Sequence, residues 1–191
     1  MNKILTYHKK GITVYQLCVI ALAAVMNIVG GQIALVLKLP IYLDCIGTIM
    51  TGALLGPVAG LFPNLIGGLV MGFTTDIYSL FFMPVGMITG FMAGIMFHTR
   101  WMKGGRMLFG SLLMTVPGTI VSALTCVVLF GGLTSSGSSL LIPLLRQWGW
   151  GEAASICAVQ IVTDYADRLI SVFVVGVLLK NLPTQIKEKL V

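Results

Sequence analysis

The chain has 191 residues, enough for a single domain over 1–191, with 57% hydrophobic and only 9% charged residues, where a soluble domain carries roughly 25% charged. A mean hydropathy of +1.00 excludes a soluble enzyme, a disordered chain and a disulfide scaffold, and leaves an integral membrane protein. The net charge of +6 comes from short basic clusters between apolar stretches; these are too short to track phosphates, so membrane lipid is an expected partner and nucleic acid is not.

Along the chain, Lys9 and Lys10 precede an apolar run that continues to about Leu37. A signal-peptide core is shorter, roughly 7–15 residues, so 13–37 is expected to be a first membrane span. Short glycine-rich segments follow at 43–58 and 59–73, joined by Gly56-Pro57, which predicts a tight hairpin. Further spans are expected at 79–97, 106–131 and 153–179, giving an all-α transmembrane bundle of six helices. Pro84 and Pro117 are candidate kinks. The 132–152 connection opens with a polar Gly/Ser stretch and ends near Trp148 and Trp150, as a flexible loop with interfacial anchors would.

Six spans put both ends on one side together with Lys3, Lys9, Lys10, Arg100, Lys103, Arg106, Lys180, Lys187 and Lys189, against Lys38 and Arg146 on the other. The positive-inside rule makes the first side, with both termini, cytoplasmic. Cys18, Cys45, Cys126 and Cys157 form no CxxC pair and are expected as free thiols packing as small hydrophobes.

Catalytic signatures are missing. There is no GxxxxGK[ST] phosphate loop, no HExxH pair and no GxSxG elbow, and His8 and His98 lie outside the spans. No enzyme activity, cofactor or metal is expected of this chain. The informative groups are polar residues at membrane depth, which are usually functional or mutually paired. In the last span Gln160, Thr163, Asp164, Asp167, Arg168 and Ser171 recur at spacings of three and four, forming one stripe. Asp164 and Arg168 stand i,i+4, the geometry of an ion pair. Two readings stay open: a structural pair holding the bundle, or a binding group whose excess carboxylate seeks a ligand. Asn27, Gln32 and Asn64 either bond between helices or face a ligand. Lys38, Tyr42, Asp44, Asp76 and Tyr78 cluster at span ends, as a solvated loop or a pocket mouth.

The stretch Leu39-Pro-Ile-Tyr-Leu-Asp-Cys-Ile-Gly-Thr48, the following Gly52-Ala-Leu-Leu-Gly-Pro-Val-Ala-Gly60, Asn64, Gly67, Gly68 and the Asn27-Ile-Val-Gly-Gly31 run resemble the substrate-binding S components of energy-coupling-factor vitamin transporters, in the branch that holds pantothenate carriers. The resemblance covers nearly the whole chain. It implies capture of a vitamin from outside the cell, pantothenate first, and delivery by toppling in a prokaryotic plasma membrane. Its partners would be a transmembrane coupling subunit and two ATPase subunits, which consume the ATP. Another vitamin, a nucleobase-like ligand, or a stand-alone secondary transporter are the alternatives. The expected substrate-binding set is Gln32, Tyr42, Asp44, Asn64, Tyr78, Gln160, Asp164, Asp167 and Arg168. Small residues of the first span, Ala21, Ala24 and Gly31, are the expected face for the coupling subunit.

Overall fold

The computed structural model describes residues 13–102 and 104–183, so Lys3, Lys9, Lys10, His8, Lys103, Lys187 and Lys189 lie outside the described residues. Those described are helical, with no strand among them. Helix α1 (Val14–Val36) starts in a capping box: Gln16 N–H donates to Thr13 Oγ1 at 3.3 Å, and Thr13 N–H to Gln16 Oε1 at 3.1 Å. These bonds occupy amide groups that a helix start otherwise leaves open. Helices α2 (Ile46–Leu55), α3 (Pro57–Gly60) and α4 (Phe62–Thr74) follow, then α5 (Tyr78–Phe97), α6 (Met107–Phe130), α7 (Leu141–Gln147) and α8 (Glu152–Asn181). Both α5 and α6 run on through Pro84 and Pro117.

Four stretches, Val14–Val36, Pro57–Thr74, Tyr78–Phe97 and Gly104–Phe130, are long and apolar enough to cross a membrane. The chain is therefore all-α and compatible with a membrane-embedded protein. Helix α8 has 30 residues, but Asp164, Asp167 and Arg168 lower its apolarity. Outward positions such as Leu22, Val25, Val29, Ile120, Leu124 and Phe173 are exposed. The α8 stripe behaves oppositely: Gln160, Thr163, Asp164, Asp167, Arg168 and Ser171 are all buried. On α8 the polar stripe thus faces the interior, which also holds apolar residues such as Ile49, Met114 and Val172, while apolar side chains cover the bundle surface.

The predicted hairpin is present. Gly56 adopts φ +93, a left-handed value that favours glycine, and Pro57 opens the next helix, where its missing N–H costs nothing. After the reversal, Asn64 Nδ2–H donates to the Asp44 carbonyl at 3.2 Å. Helix α5 packs across α2, α3 and α4, while α1 rests on α2 and α4, and α6 joins α5 to α8.

One prediction needs correction. The second segment is not helical from 43; α2 begins at Ile46, and its ten residues are only about 15 Å long. Asn27 Oδ1 accepts Gly47 N–H at 2.9 Å, and Asn27 Nδ2–H donates to Thr48 Oγ1 at 2.6 Å. Asn27 lies nine residues before Val36, about 14 Å inside the end of α1, so residues 37–45 descend into the bundle as non-helical chain. Lys38 (φ 48) and Leu43 (φ 53) are left-handed without being glycine, a strained conformation that the surroundings must hold. Helix propensity cannot reveal this, because the descent is set by side-chain partners distant in sequence. The Asn27-Ile-Val-Gly-Gly31 run seats the segment: a Cβ on Gly30 would overlap the Leu43 carbonyl.

The 132–152 connection is also more ordered than a flexible loop. It contains a 3-10 turn at Gly137–Leu140 and then α7, whose Ile142 packs with Cys126, Ile156 and Val159. Cys18, Cys45, Cys126 and Cys157 are free thiols, with Cys45 and Cys126 buried. Trp148 and Trp150 are exposed.

Candidate functional site

Backbone N–H groups in a non-helical segment inside a bundle must find acceptors, since no water is at hand. Asp167 supplies one. Its Oδ1 accepts Tyr42 N–H at 3.1 Å and Leu43 N–H at 2.7 Å. Its Oδ2 receives Arg168 Nη1–H, and Arg168 Nε–H donates to Thr89 Oγ1 at 3.2 Å, which itself donates to the Val85 carbonyl at 2.9 Å. This chain of bonds ties α8 and α5 to the descending segment.

The predicted Asp164–Arg168 pair is thus replaced by Asp167–Arg168. Spacing shows which side chains share a face, but the three-methylene stem of arginine lets its head choose between carboxylates. Asp167, already holding two amides, is the better anchored of them. Asp164 turns toward Thr119 and Ser122 of α6, and its Oδ2 has no hydrogen-bond partner. Gln160 Nε2–H donates to Ser122 Oγ at 3.1 Å, leaving Oε1 unpartnered. Thr89 escaped notice in the sequence because a lone threonine in an apolar helix carries no signal.

Above this layer lies a cavity of about 70 Å³ at the end of the bundle where α1, α4 and α5 meet the 131–140 connection. Tyr42, Asp44, Asn64 and Tyr78, all predicted, line it. Gln32 does not; it donates from Nε2 to Thr75 Oγ1 at 2.6 Å, tying α1 to the end of α4. Gln160, Asp164, Asp167 and Arg168 do not line it either, and sit beneath the descending segment as its support. Asp76 enters the wall through bonds from Tyr78 N–H (3.3 Å), Ser79 Oγ–H (3.2 Å) and Ser135 Oγ–H (2.8 Å).

The Gly/Ser stretch forms the cap of the cavity. Thr134 N–H donates to Ser139 Oγ at 2.9 Å, and a Cβ on Gly137 would overlap the Lys38 carbonyl. Its only sequence signal was the turn preference of serine and glycine. Phe130 stands behind the aromatic wall, with its ring centroid 4.8 Å from that of Tyr78 and 6.0 Å from Phe82. The Tyr42 hydroxyl stands in the wall 3.4 Å from Ser138 Oγ.

Asp44, Cys45 and Asp167 bring potential metal-ligand atoms within 4.8 Å of one another. Both Asp167 oxygens already accept N–H donors, and Arg168 adds a positive charge beside them. A wider recess of about 380 Å³ at the opposite end is walled by Phe97, Met102, Met107 and Phe173, with Lys180 at its edge. It lacks the convergent polar groups that orient a solute.

The small-residue face is corrected as well. Ala21 is exposed, but Ala24 is only 2% exposed and Gly31 is buried. Gly31 faces the cavity, where a Cβ would meet Met71 Sδ at 3.0 Å and approach Asp44 Cβ at 3.7 Å. Gly31→Val is therefore expected to fill the cavity and weaken small-molecule binding about tenfold or more, roughly 1.4 kcal/mol, with little change in unfolding temperature. Unchanged affinity in a titration of the purified variant would remove Gly31 from the site.

Compared with known proteins, the chain matches no family model, no curated protein and no solved structure.

Proposed function

We propose that this chain is a multi-pass membrane subunit that captures a small solute and delivers it by working with an energised partner, in the manner of the S components it resembles. The reading places six membrane-crossing segments, including the half-length α2, in a prokaryotic plasma membrane with both termini cytoplasmic. The observation that carries it is the cavity at one end of the bundle, built on a descending segment that Asp167, Asn27 and Gly30 hold in place. Such a cavity is suited to binding a small molecule. A vitamin-sized solute needs more room than about 70 Å³, so entry requires the serine cap and the 37–45 segment to part.

Work must come from elsewhere, because the sequence has no phosphate loop. The partners of this reading are a transmembrane coupling subunit and two ATPase subunits. Ala21, on the outward face of α1, stays a candidate contact for the first of these. A carboxylate ligand such as pantothenate would suit a free buried arginine, but Arg168 is committed to Asp167 and Thr89.

The test is uptake into vesicles. The chain alone is expected to bind but not to concentrate solute, and transport should appear only with the ATPase module and ATP. Ala21→Trp should reduce co-purification with the module while leaving solute binding intact. Concentrative uptake by the chain alone would instead establish the secondary-transporter alternative.

A further inference from the structure

Several polar atoms of the cavity wall are acceptors that no strong donor reaches. Asp44 Oδ1 accepts only the weak donor Cys45 Sγ at 3.3 Å, and Oδ2 accepts nothing among the described residues. Asn64 is 5% exposed and lines the same wall; its Nδ2 is used by the Asp44 carbonyl, leaving Oδ1 without a partner. Asp76 accepts from neutral donors, Tyr78 N–H, Ser79 Oγ–H and Ser135 Oγ–H, at the amino end of α5, and no basic side chain pairs with it among the described residues. These are acceptors that a ligand's donors would satisfy, and the Tyr78 hydroxyl in the same wall can donate or accept.

Charge points the same way. The lining contains Asp44 and Asp76 but no lysine, arginine or histidine. Arg168 is spent on Asp167 and Thr89. Lys38 is exposed and outside the lining, and Arg146 pairs with Glu152 at 3.6 Å on the surface. The amino end of α2 is already answered by Asn27 Oδ1 on Gly47 N–H, and that of α5 by Asp76, which accepts Tyr78 N–H. Against these carboxylates stand the faces and edges of Tyr42, Tyr78 and Phe82, a setting that favours a cation over an aromatic wall.

We infer that the cavity takes a small organic cation, an ammonium or an alkylated or protonated ring nitrogen, with its charge on Asp44 and its apolar body against Tyr42, Tyr78 and Phe82. The inference rests on the binding-subunit reading above and names the ligand class of that site. An anionic solute there would lose its hydration shell while facing two carboxylates, with no cation in the wall to replace it.

The experiment is calorimetric titration of the purified full-length chain with three ring compounds of similar size: N-methylpyridinium, nicotinamide and nicotinate, with pantothenate as a fourth probe. The cation is expected to bind at least tenfold more tightly than the neutral and anionic rings, and to weaken as sodium chloride is raised. Asp44→Asn, nearly isosteric, should abolish that preference, lowering the affinity for the cation at least tenfold relative to that for nicotinamide. Should Asp44→Asn fail to fold, the wild-type ranking and its salt dependence, with Asp76→Asn as second variant, decide alone. Tighter binding of nicotinate or pantothenate, or no discrimination or binding across the panel, overturns the inference. Co-purification with an ATPase module and ATP-dependent uptake judge the binding-subunit reading separately, because neither depends on the sign of the ligand's charge.

Discussion

Asp167→Ala is expected to be among the most destabilising single substitutions in this chain. It removes the acceptor of two amide groups, Tyr42 N–H and Leu43 N–H, and the counter-ion of the buried Arg168 in one step. An uncompensated buried charge costs about 3–5 kcal/mol, and each orphaned amide adds about 1–3 kcal/mol. That sum is comparable with the whole stability of an ordinary domain, about 5–15 kcal/mol. Asp167→Asn is the graded case, since its Oδ1 still accepts both amides while the charge is lost, and should fall between wild type and alanine. Asp167→Ala combined with Arg168→Met removes both charges and should recover a large part of the loss, leaving the amide deficit. Thermal unfolding of all four proteins in one detergent reads these differences. An alanine variant that unfolds with the wild type would mean that the descending segment does not depend on Asp167.

Much of the helical layout was legible because membrane-length apolar runs are long, and because Gly56-Pro57 marks a reversal that no helix continues through. The stripe on α8 was legible for the same reason: spacings of three and four project onto one face whatever that face meets. What the face meets was not legible. Asp167 and Arg168 looked like a deep ligand site, yet their partners are the backbone of Tyr42 and Leu43 and the hydroxyl of Thr89, which lie 125, 124 and 79 residues away along the chain. Tyr42, Asp44, Asn64 and Tyr78 reached the cavity as expected, since polar residues at helix ends have few other places to go. Ala24 and Gly31 misled because smallness alone does not say whether the close neighbour is a partner protein or the chain's own next helix. Here α1 uses small residues inward, to receive α2 and the descending segment.

Close backbone approach also yields the second large effect. Gly90 of α5 lies against Gly60 beyond the hairpin: a Cβ on Gly90 would overlap the Gly60 carbonyl and stand 2.7 Å from Thr48 Cγ2. In the reverse direction, a Cβ on Gly60 would be 2.8 Å from the Gly90 carbonyl carbon and 3.0 Å from Gly52 Cα. Neighbouring Gly52 meets the Gly90 carbonyl oxygen at 2.6 Å by the same construction. The obstructing atoms are largely backbone, which cannot rotate away as the end of a methionine can. Gly90→Ala must therefore force α5 away from the hairpin. That movement gives up dispersion contacts along the seam and pulls at Thr89, the next residue and the acceptor of Arg168 Nε–H. The expected cost is in the overpacking range of about 1–3 kcal/mol or above, and a larger residue such as Val should prevent the bundle from assembling. Gly176 of α8 is the control, since nothing lies within 4 Å of a Cβ there. Gly176→Ala should leave stability unchanged or raise it by up to about 1 kcal/mol through helix propensity. Unfolding midpoints that place Gly90→Ala level with Gly176→Ala would show that α5 and the hairpin do not pack this closely in the membrane, and that the support beneath the cavity is looser than the hydrogen-bonded layer requires.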